Sequence, residues 1–155
     1  MEIRIQVTIE KPIDEVWEVM GNQFGHAHLW SSNFKTSKPG GEPKFKGLDY
    51  SHRDTTTERG NTIQELSAFS PEKHSLSYEI TKGAPDIAKS ANSTWYLEET
   101  VQGTVAHMDT VMEPKMALPE EMASKIQMGL TASFNLLASE LKYYVENGDM
   151  LPEKI

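Results

Sequence analysis

A long apolar stripe near the C-terminal end limits the possible folds of this chain more than any other feature. Apolar residues recur there every three or four positions, which is the spacing of one face of an α-helix. The residues of this stripe are Met122, Ile126, Leu130, Phe134, Leu137 and Leu141. We predict a helix over residues 119–146, about 42 Å long at 1.5 Å per residue. Such a helix needs a large apolar surface to pack against.

The N-terminal end predicts a strand followed by two short helices. Residues 2–10 alternate between apolar and polar side chains, which is the period of a half-buried strand. Pro12 then suits the first turn of a helix, and the carboxylates of Asp14 and Glu15 complement its positive end. The apolar residues that follow have helical spacing: Ile13, Val16, Trp17 and Met20. We predict a second short helix over residues 24–29.

The middle of the chain has the alternation and the turn residues of an antiparallel meander. Pro39-Gly40-Gly41 marks a break before it, and turn-forming residues then separate the strands. The predicted turns are Gly60-Asn61, residues 70–73 and residues 101–103. The predicted strands are residues 47–58, 62–69, 75–81, 88–100 and 104–113.

These elements predict one α+β domain over residues 1–155. An antiparallel sheet of six to seven strands must cover one face, and the C-terminal helix has the only large apolar stripe in the sequence that could do so. We expect a curved sheet wrapped around that helix, with two short helices after the first strand. This arrangement usually leaves a cavity between sheet and helix.

The turn positions also predict which side chains face inward. If Gly60-Asn61 forms a two-residue loop, Asp54 lies opposite Ser67. Continued through the next turn by the two-residue period, the pattern gathers aromatic and aliphatic residues on one face, which we predict to be the interior. Its members are Leu48, Tyr50, His52, Asp54, Ile63, Glu65, Phe69, Leu76, Tyr78 and Ile80.

Three residues of this predicted inner face, His52, Asp54 and Glu65, are polar. A carboxylate in such surroundings must be paired, hydrogen-bonded or hydrated, because burying it bare costs several kcal/mol. A partly hydrated cavity would satisfy this requirement. A register shifted by one residue, which would move these groups to the solvent-exposed rim, is the alternative that the sequence leaves open.

The inner face of the last two strands is predicted only in part. Trp95 shares a face with Ala91 and Leu97, so we expect its side chain to point inward. The partner strand has two candidate inner faces, and the length of the turn at residues 101–103 decides between them. They are Ala106, Met108 and Met112, or Val105, His107, Asp109 and Val111.

Composition and motifs disfavour several classes of function. The chain has no cysteine, which excludes disulfides and thiol catalysis. Its net charge of −8 offers no basic cluster for nucleic acid or an anionic membrane surface. No signal peptide and no membrane span are visible, so we expect a cytoplasmic protein without stable membrane insertion. His26 and His28 would point about 200° apart on a helix, so we predict no metal site and no cofactor.

Several segments together carry a family pattern: the opening strand followed by residues 12–17, Trp30 after a short helix, residues 63–66, residues 76–80, and the closing helix. With this pattern the chain resembles the START-like, or pollen-allergen-like, helix-grip superfamily (the SRPBCC group). That superfamily includes polyketide cyclases, aromatases and lipid-transfer domains. The resemblance implies a hydrophobic small molecule, such as a lipid, polyketide or isoprenoid-like compound, held between the sheet and the C-terminal helix.

We therefore predict a soluble binding protein for a hydrophobic or amphipathic small molecule. The predicted ligand-binding residues are Trp30, Tyr50, His52, Glu65, Tyr78, Trp95, His107 and Phe134. One alternative is an enzyme of the polyketide cyclase, aromatase or dehydratase type, which would use acid–base residues in the same cavity. A second alternative is a protein-binding module without a ligand. The sequence names no catalytic residue.

Overall fold

The computed structural model describes residues 1–152, and residues 153–155 of the predicted domain lie outside the described residues. The elements in chain order are β1 (Glu2–Ile9), α1 (Ile13–Trp17, continued by a π-helical turn at Glu18–Asn22), a 3₁₀ segment (Phe24–Leu29), β2 (Thr36–Gly40), β3 (His52–Thr57), β4 (Gly60–Ser70), β5 (Ser75–Lys82), β6 (Ala88–Thr100), β7 (Gly103–Pro114) and α2 (Glu120–Asn147). The predicted order of a strand, short helices, a meander and a long closing helix is confirmed.

Within the described residues, seven strands form one antiparallel sheet in the order β1-β7-β6-β5-β4-β3-β2. Strands β2 to β6 each pair with the next strand in sequence, and β7 also pairs with β1. β2 lies where the sequence predicts a break, and it is an edge strand. Pro39 is tolerated at an edge, because its missing N–H is not needed there for pairing. The predicted fold class, a curved antiparallel sheet with a long C-terminal helix, is confirmed.

α2 runs along the edge strand β1 and fastens it to the domain. The Lys142 ammonium donates a hydrogen bond to the Thr8 carbonyl oxygen at 2.8 Å. The Glu146 carboxylate accepts one from the Glu10 backbone N–H, also at 2.8 Å. Because an unprotected edge strand offers its backbone groups to other chains, these side chains also protect that edge.

Local sequence sets the two ends of α2. Pro119 precedes the first turn, where Glu120 and Glu121 complement the positive end of the helix dipole. At the other end, Gly148 adopts φ of 77°, and its N–H donates to the Tyr144 carbonyl oxygen at 2.7 Å. Glycine suits this left-handed position because it has no Cβ. The helix therefore ends within one residue of the predicted boundary.

The register between β3 and β4 differs from the predicted one. Thr57 pairs with Gly60, so the two-residue turn comes two positions earlier than predicted. The Thr57 hydroxyl stabilises this turn by donating to the Gly60 carbonyl oxygen at 3.2 Å. As a result, Asp54 lies opposite Ile63 and not opposite Ser67.

A β-bulge at Ser67 reverses the predicted faces of β3 and of the first half of β4. The pairing of β4 with β5 shifts by one residue at this point, and a one-residue shift moves side chains to the other face of a sheet. The prediction that His52, Asp54 and Glu65 share the inner face with the aromatic residues is therefore wrong. The buried residues of these two strand segments are Arg53, Thr55, Gln64 and Leu66.

The other predictions of inner residues agree with the structure more closely. Leu48, Tyr50, Phe69, Leu76 and Tyr78 are all buried, as predicted. In the last hairpin Thr100 pairs with Gly103, which leaves a two-residue turn, and Trp95 lies opposite Met108. The inner face of β7 is consequently the apolar alternative, with the buried residues Ala106, Met108 and Met112.

Candidate functional site

An internal pocket lies between the sheet, the 3₁₀ segment and α2. Its free volume is about 10 Å³, which is room for about one water molecule. The residues that line it are Met20, Phe24, Trp30, Arg53, Leu76, Tyr78, Trp95 and Leu137. Side chains therefore fill nearly all of the space in which the sequence predicts a cavity.

The strands and helices place these walls by simple local rules. Leu76 and Tyr78 occupy alternate positions of β5, so both point to the inner face. Trp95 of β6 lies directly opposite Leu76. The 3₁₀ segment contributes Phe24, whose ring centre is 5.4 Å from that of Tyr78. Leu137 closes the pocket from the α2 side.

Arg53 is the one charged residue among these walls, and its side chain is surrounded by aromatic rings. Only 5% of the residue is exposed. Its Cζ lies 4.0 Å from the ring centre of Phe24, 5.0 Å from that of Tyr78 and 5.2 Å from that of Phe34. A cation over an aromatic face gains about 2 kcal/mol or more where water is excluded. The rings thus stabilise a charge that the interior would otherwise disfavour.

Two hydrogen bonds from the described part of the chain fix the orientation of the guanidinium. Nε donates to Gln64 Oε1 at 2.7 Å, and Nη1 donates to the Phe24 carbonyl oxygen at 3.2 Å. Burial lowers the pKa of Arg53, whereas the neighbouring Tyr78 and Tyr50 raise it. An arginine in a protein keeps its proton in either case. The pocket therefore contains a permanent positive charge that is held by neutral groups.

Several of the predicted ligand-binding residues lie at or near this pocket. Those that line it are Trp30, Tyr78 and Trp95. Phe134 is half-buried and packs against the same core from α2. Tyr50 is buried against the 3₁₀ segment, where its hydroxyl accepts a hydrogen bond from the Gly25 N–H at 2.7 Å, and burial raises its pKa. That these residues contact a ligand stays a prediction.

The remaining predicted residues, His52, Glu65 and His107, lie on the outer face of the sheet. Glu65 accepts a hydrogen bond from the Lys44 ammonium at 2.6 Å, and this bond lowers the pKa of the carboxyl group. His107 stacks on Tyr96, with ring centres 4.4 Å apart. The predicted inward position of His52 and Glu65 is wrong, because the bulge reverses the faces. For His107 the sequence leaves the face open, and the structure buries the other face of β7.

Sequence reasoning missed Arg53 and its partner Gln64. β3 contains no apolar residue, so hydropathy alternation along it does not indicate an inner face. One signal could have found the pair. Leu66 is an apolar residue near the middle of β4, and placing it inside also places Gln64 inside, two positions earlier.

A second, larger depression of about 490 Å³ runs along one side of α2. It is wide open to solvent and shares no residue with the internal pocket. Its walls are Ser124, Gln127, Met128, Thr131, Ala132 and Asn135. Because all of them belong to one helix, this surface does not bring together groups from different elements.

Among residues 1–152, no group of three or more histidine, cysteine, aspartate or glutamate side chains is arranged to hold a metal ion. In the same range, none of the helices combines the length and the hydropathy needed to cross a bilayer.

The curved sheet, the closing helix and the internal pocket between them define a helix-grip protein. The family model described as "Polyketide cyclase / dehydrase and lipid transport" matches residues 1–142 of the chain. The chain belongs to this family. No protein with a curated description matches it in sequence.

Solved structures with the same fold cover almost the whole chain. A START superfamily protein from Mycobacterium smegmatis has a TM-score of 0.73 at 14% identity, covering 94% of this chain and 97% of its own. An uncharacterised protein from Bacillus thuringiensis has a TM-score of 0.72 at 19% identity, with coverages of 94% and 98%. Ara h 8.0201 has a TM-score of 0.66 at 14% identity, with coverages of 94% and 97%. Similarity at these identities establishes the fold alone.

Proposed function

We propose that this protein binds a hydrophobic or amphipathic small molecule in the internal pocket. The observation that supports the proposal most is the pocket wall, in which aromatic and aliphatic side chains surround one buried guanidinium. Ligand sites are typically concave and mostly apolar, with a few polar groups that orient the ligand. A lipid, polyketide or isoprenoid-like compound has the matching chemistry, and we propose that it is bound in the cytoplasm.

The pocket must widen to admit such a ligand, because small-molecule sites usually enclose about 300–1,000 Å³. In this proposal α2 is the wall that moves, because its N-terminal half is attached to the domain more weakly than its C-terminal half. The C-terminal half is fixed by Glu140, a buried residue whose carboxylate accepts a hydrogen bond from the Ser32 N–H at 2.9 Å. In the same half, Lys142 bonds to Thr8 of β1, and Glu146 bonds to Glu10 just after β1.

The N-terminal half of α2 is attached more weakly. Met122 and Met128 are exposed, and Leu130 is only half-buried. The hydrogen bond from Gln127 Nε2 to the Glu2 carbonyl oxygen is long, at 3.3 Å. Regions with few buried apolar contacts open at a lower free energy than the core does. We propose that the ligand enters beneath this half of the helix.

Native mass spectrometry of the purified protein, followed by denaturing extraction of bound compounds, tests the proposal. We expect either a co-purifying small molecule or a raised Tm on addition of apolar compounds. Leu137→Trp fills the pocket and should abolish binding, whereas Leu136→Trp, at a residue that is 51% exposed, should retain it. An apo mass with no thermal shift for any apolar compound would contradict the proposal and favour a protein-binding module.

Catalysis in the same pocket, of the cyclase, aromatase or dehydratase type, is a second candidate function. It is favoured by the position of Tyr78, whose ring lies against the Arg53 guanidinium. A phenol can transfer a proton, and a buried cation can stabilise an enolate. Tyr78→Phe should then preserve binding and reduce conversion of a bound poly-β-ketone by about 10²–10⁴-fold. Cyclisation alone leaves the ligand mass unchanged, so the product is followed by chromatographic retention and absorption spectrum as well as by mass. A ligand unchanged in all three after incubation with the wild type would reject this candidate.

A further inference from the structure

Arg53 has more hydrogen-bond donors than its protein surroundings use. A guanidinium carries five N–H groups. In the described residues Arg53 donates to Gln64 Oε1 and to the Phe24 carbonyl oxygen, and a side-chain hydrogen bond with Tyr78 contributes to raising its pKa. These partners use fewer than five N–H groups. The rings of Phe24, Phe34 and Tyr78 interact with the charge through their faces. Donor capacity therefore remains on the Nη nitrogens, in a residue that lines the pocket.

The positive charge of Arg53 also has no carboxylate partner in the part of the chain that the structure describes. None of the ion pairs there includes this residue. The buried carboxylate of Glu140 is bonded to the Ser32 N–H instead. Taking a charge out of water without a counter-charge is unfavourable. An anion supplied by a ligand would relieve this cost in the bound state.

We infer that the ligand of this pocket carries a single carboxylate, which binds the Nη donors of Arg53 while its apolar body lies among the aromatic and aliphatic walls. This inference rests on the proposed binding function and specifies the ligand class. Guanidinium and carboxylate are planar groups of matching geometry, and charge-assisted bonds between them are stronger than neutral ones. The remaining walls supply the apolar surface, and they include Met20, Trp30, Leu76, Trp95 and Leu137.

A monoanion suits this site better than a phosphate group does. Arg53 is the only basic residue among those that line the pocket. A phosphate monoester carries about 1.5–2 negative charges at neutral pH, so one guanidinium would leave part of its charge uncompensated in apolar surroundings. The ligand class that follows is an apolar monocarboxylate, such as a fatty acid or an aryl carboxylate.

Displacement of the neutral dye Nile red by matched pairs of compounds tests the inference at about pH 7.5, where carboxylates are ionised. The pairs are dodecanoate with dodecanol, and naphthoate with naphthalenemethanol, and dodecyl phosphate is the third head group. We expect the wild-type protein to bind each carboxylate at least about tenfold more tightly than the matched alcohol. We expect dodecyl phosphate to bind more weakly than dodecanoate.

Three variants assign this preference to Arg53. Arg53→Met removes the charge and keeps an apolar side chain, so it should bind acid and alcohol equally well. Arg53→Lys keeps the charge without the planar fork and should retain part of the preference. Arg59→Met removes an exposed arginine from the turn between β3 and β4, and this matched control should behave as the wild type. If Arg53→Met does not fold, two measurements still test the inference. They are the affinities of the wild type for each acid and its matched alcohol, and the reduced preference of Arg53→Lys.

The possible outcomes separate the inference from the binding function. Equal affinity of the wild type for acid and alcohol, or a preference that survives in Arg53→Met, would overturn the inference and leave the binding function in place. Tighter binding of dodecyl phosphate than of dodecanoate would overturn the choice of a carboxylate. Failure of every compound, together with an apo mass of the purified protein, would reject the binding function and the inference with it.

Discussion

Two neighbouring cross-strand pairs of β3 and β4 place polar side chains on opposite faces of the same sheet. Arg53 lies opposite Gln64, and His52 lies opposite Glu65. The inner pair is 5% and 7% exposed and is joined by a hydrogen bond of 2.7 Å. On the outer face, 33% of the Glu65 side chain is exposed, and its partner is the Lys44 ammonium at 2.6 Å. The two pairs share strands and register and differ in their access to water.

This difference in access to water changes what each pair can contribute. Water can replace either member of the outer ion pair, so its net stabilisation is small. The inner guanidinium is shielded from water, and its partners are aromatic rings and hydrogen bonds to neutral groups. Apolar residues of similar volume often stabilise a core as well as buried charged groups do, or better. Stability alone therefore gives no strong reason for an arginine at this position, and the proposed binding function would supply one.

The largest difference in stability is expected between truncation of Arg53 on the inner face and truncation of Glu65 on the outer face. Arg53→Ala removes the packing among three aromatic rings and leaves the Gln64 oxygen without its donor, so we expect a loss of about 2–4 kcal/mol in the free energy of unfolding. Glu65→Ala removes an exposed ion pair and should cost less than about 1 kcal/mol. Urea denaturation of both variants measures the difference. Losses of equal size would contradict the contrast between the two faces.

Arg53→Met sharpens the same comparison by separating charge from volume. Methionine refills most of the space and adds no buried charge, so we expect it to lose less than half of the stability that Arg53→Ala loses. A loss as large as that of Arg53→Ala, measured by the same denaturation, would show that the charge itself stabilises the fold.

An effect smaller than that of Arg53→Ala is expected when the comparison is extended to two tyrosines. Tyr50→Phe removes the acceptor of the buried Gly25 N–H, and an unsatisfied buried donor costs about 1–3 kcal/mol. Tyr96 lies on the outer face, stacked on His107, and Tyr96→Phe keeps the ring, so we expect a change within about 0.5 kcal/mol. Thermal unfolding of the two variants gives both values. A more stable Tyr50→Phe than Tyr96→Phe would contradict the importance of this bond.

The fold could be predicted because the signals that specify it are local. The alternation in β1 and the three-to-four-residue spacing in α2 each depend on side chains within one element. Turn residues such as Gly60 and Pro71 divide the meander without reference to distant contacts. β2 was missed because Pro39 and Gly40 weaken a strand pattern, and an edge strand tolerates them.

The candidate site could be predicted only in part, because it depends on how strands pair. Trp30, Tyr78 and Trp95 are large aromatic residues whose inward direction follows from hydrophobicity, and all three line the pocket. Arg53 could not be placed in this way. Its face depends on the bulge at Ser67, and a bulge reflects pairing between strands, which two-residue alternation within one strand does not record.

The smallest expected effect is the pH dependence of the outer pair. The hydrogen bond from Lys44 holds the pKa of Glu65 below its ordinary value of 4.5. A carboxyl group with a lowered pKa in the folded state contributes stability above its unfolded pKa, and this contribution disappears as the pH falls through the folded value. Glu65→Gln should therefore be slightly less stable than the wild type at neutral pH, by less than about 1 kcal/mol, and the difference should vanish once the pH has fallen below the lowered pKa of Glu65 in the folded state. Urea denaturation of both proteins from neutral to acidic pH measures it, with Glu72→Gln, an exposed carboxyl group in the turn between β4 and β5, as the control. If the difference in the free energy of unfolding persists or grows at low pH, Glu65 acts through contacts other than its ion pair. The exposed ion pair would then no longer be a simple reference for the stability effect of the buried Arg53.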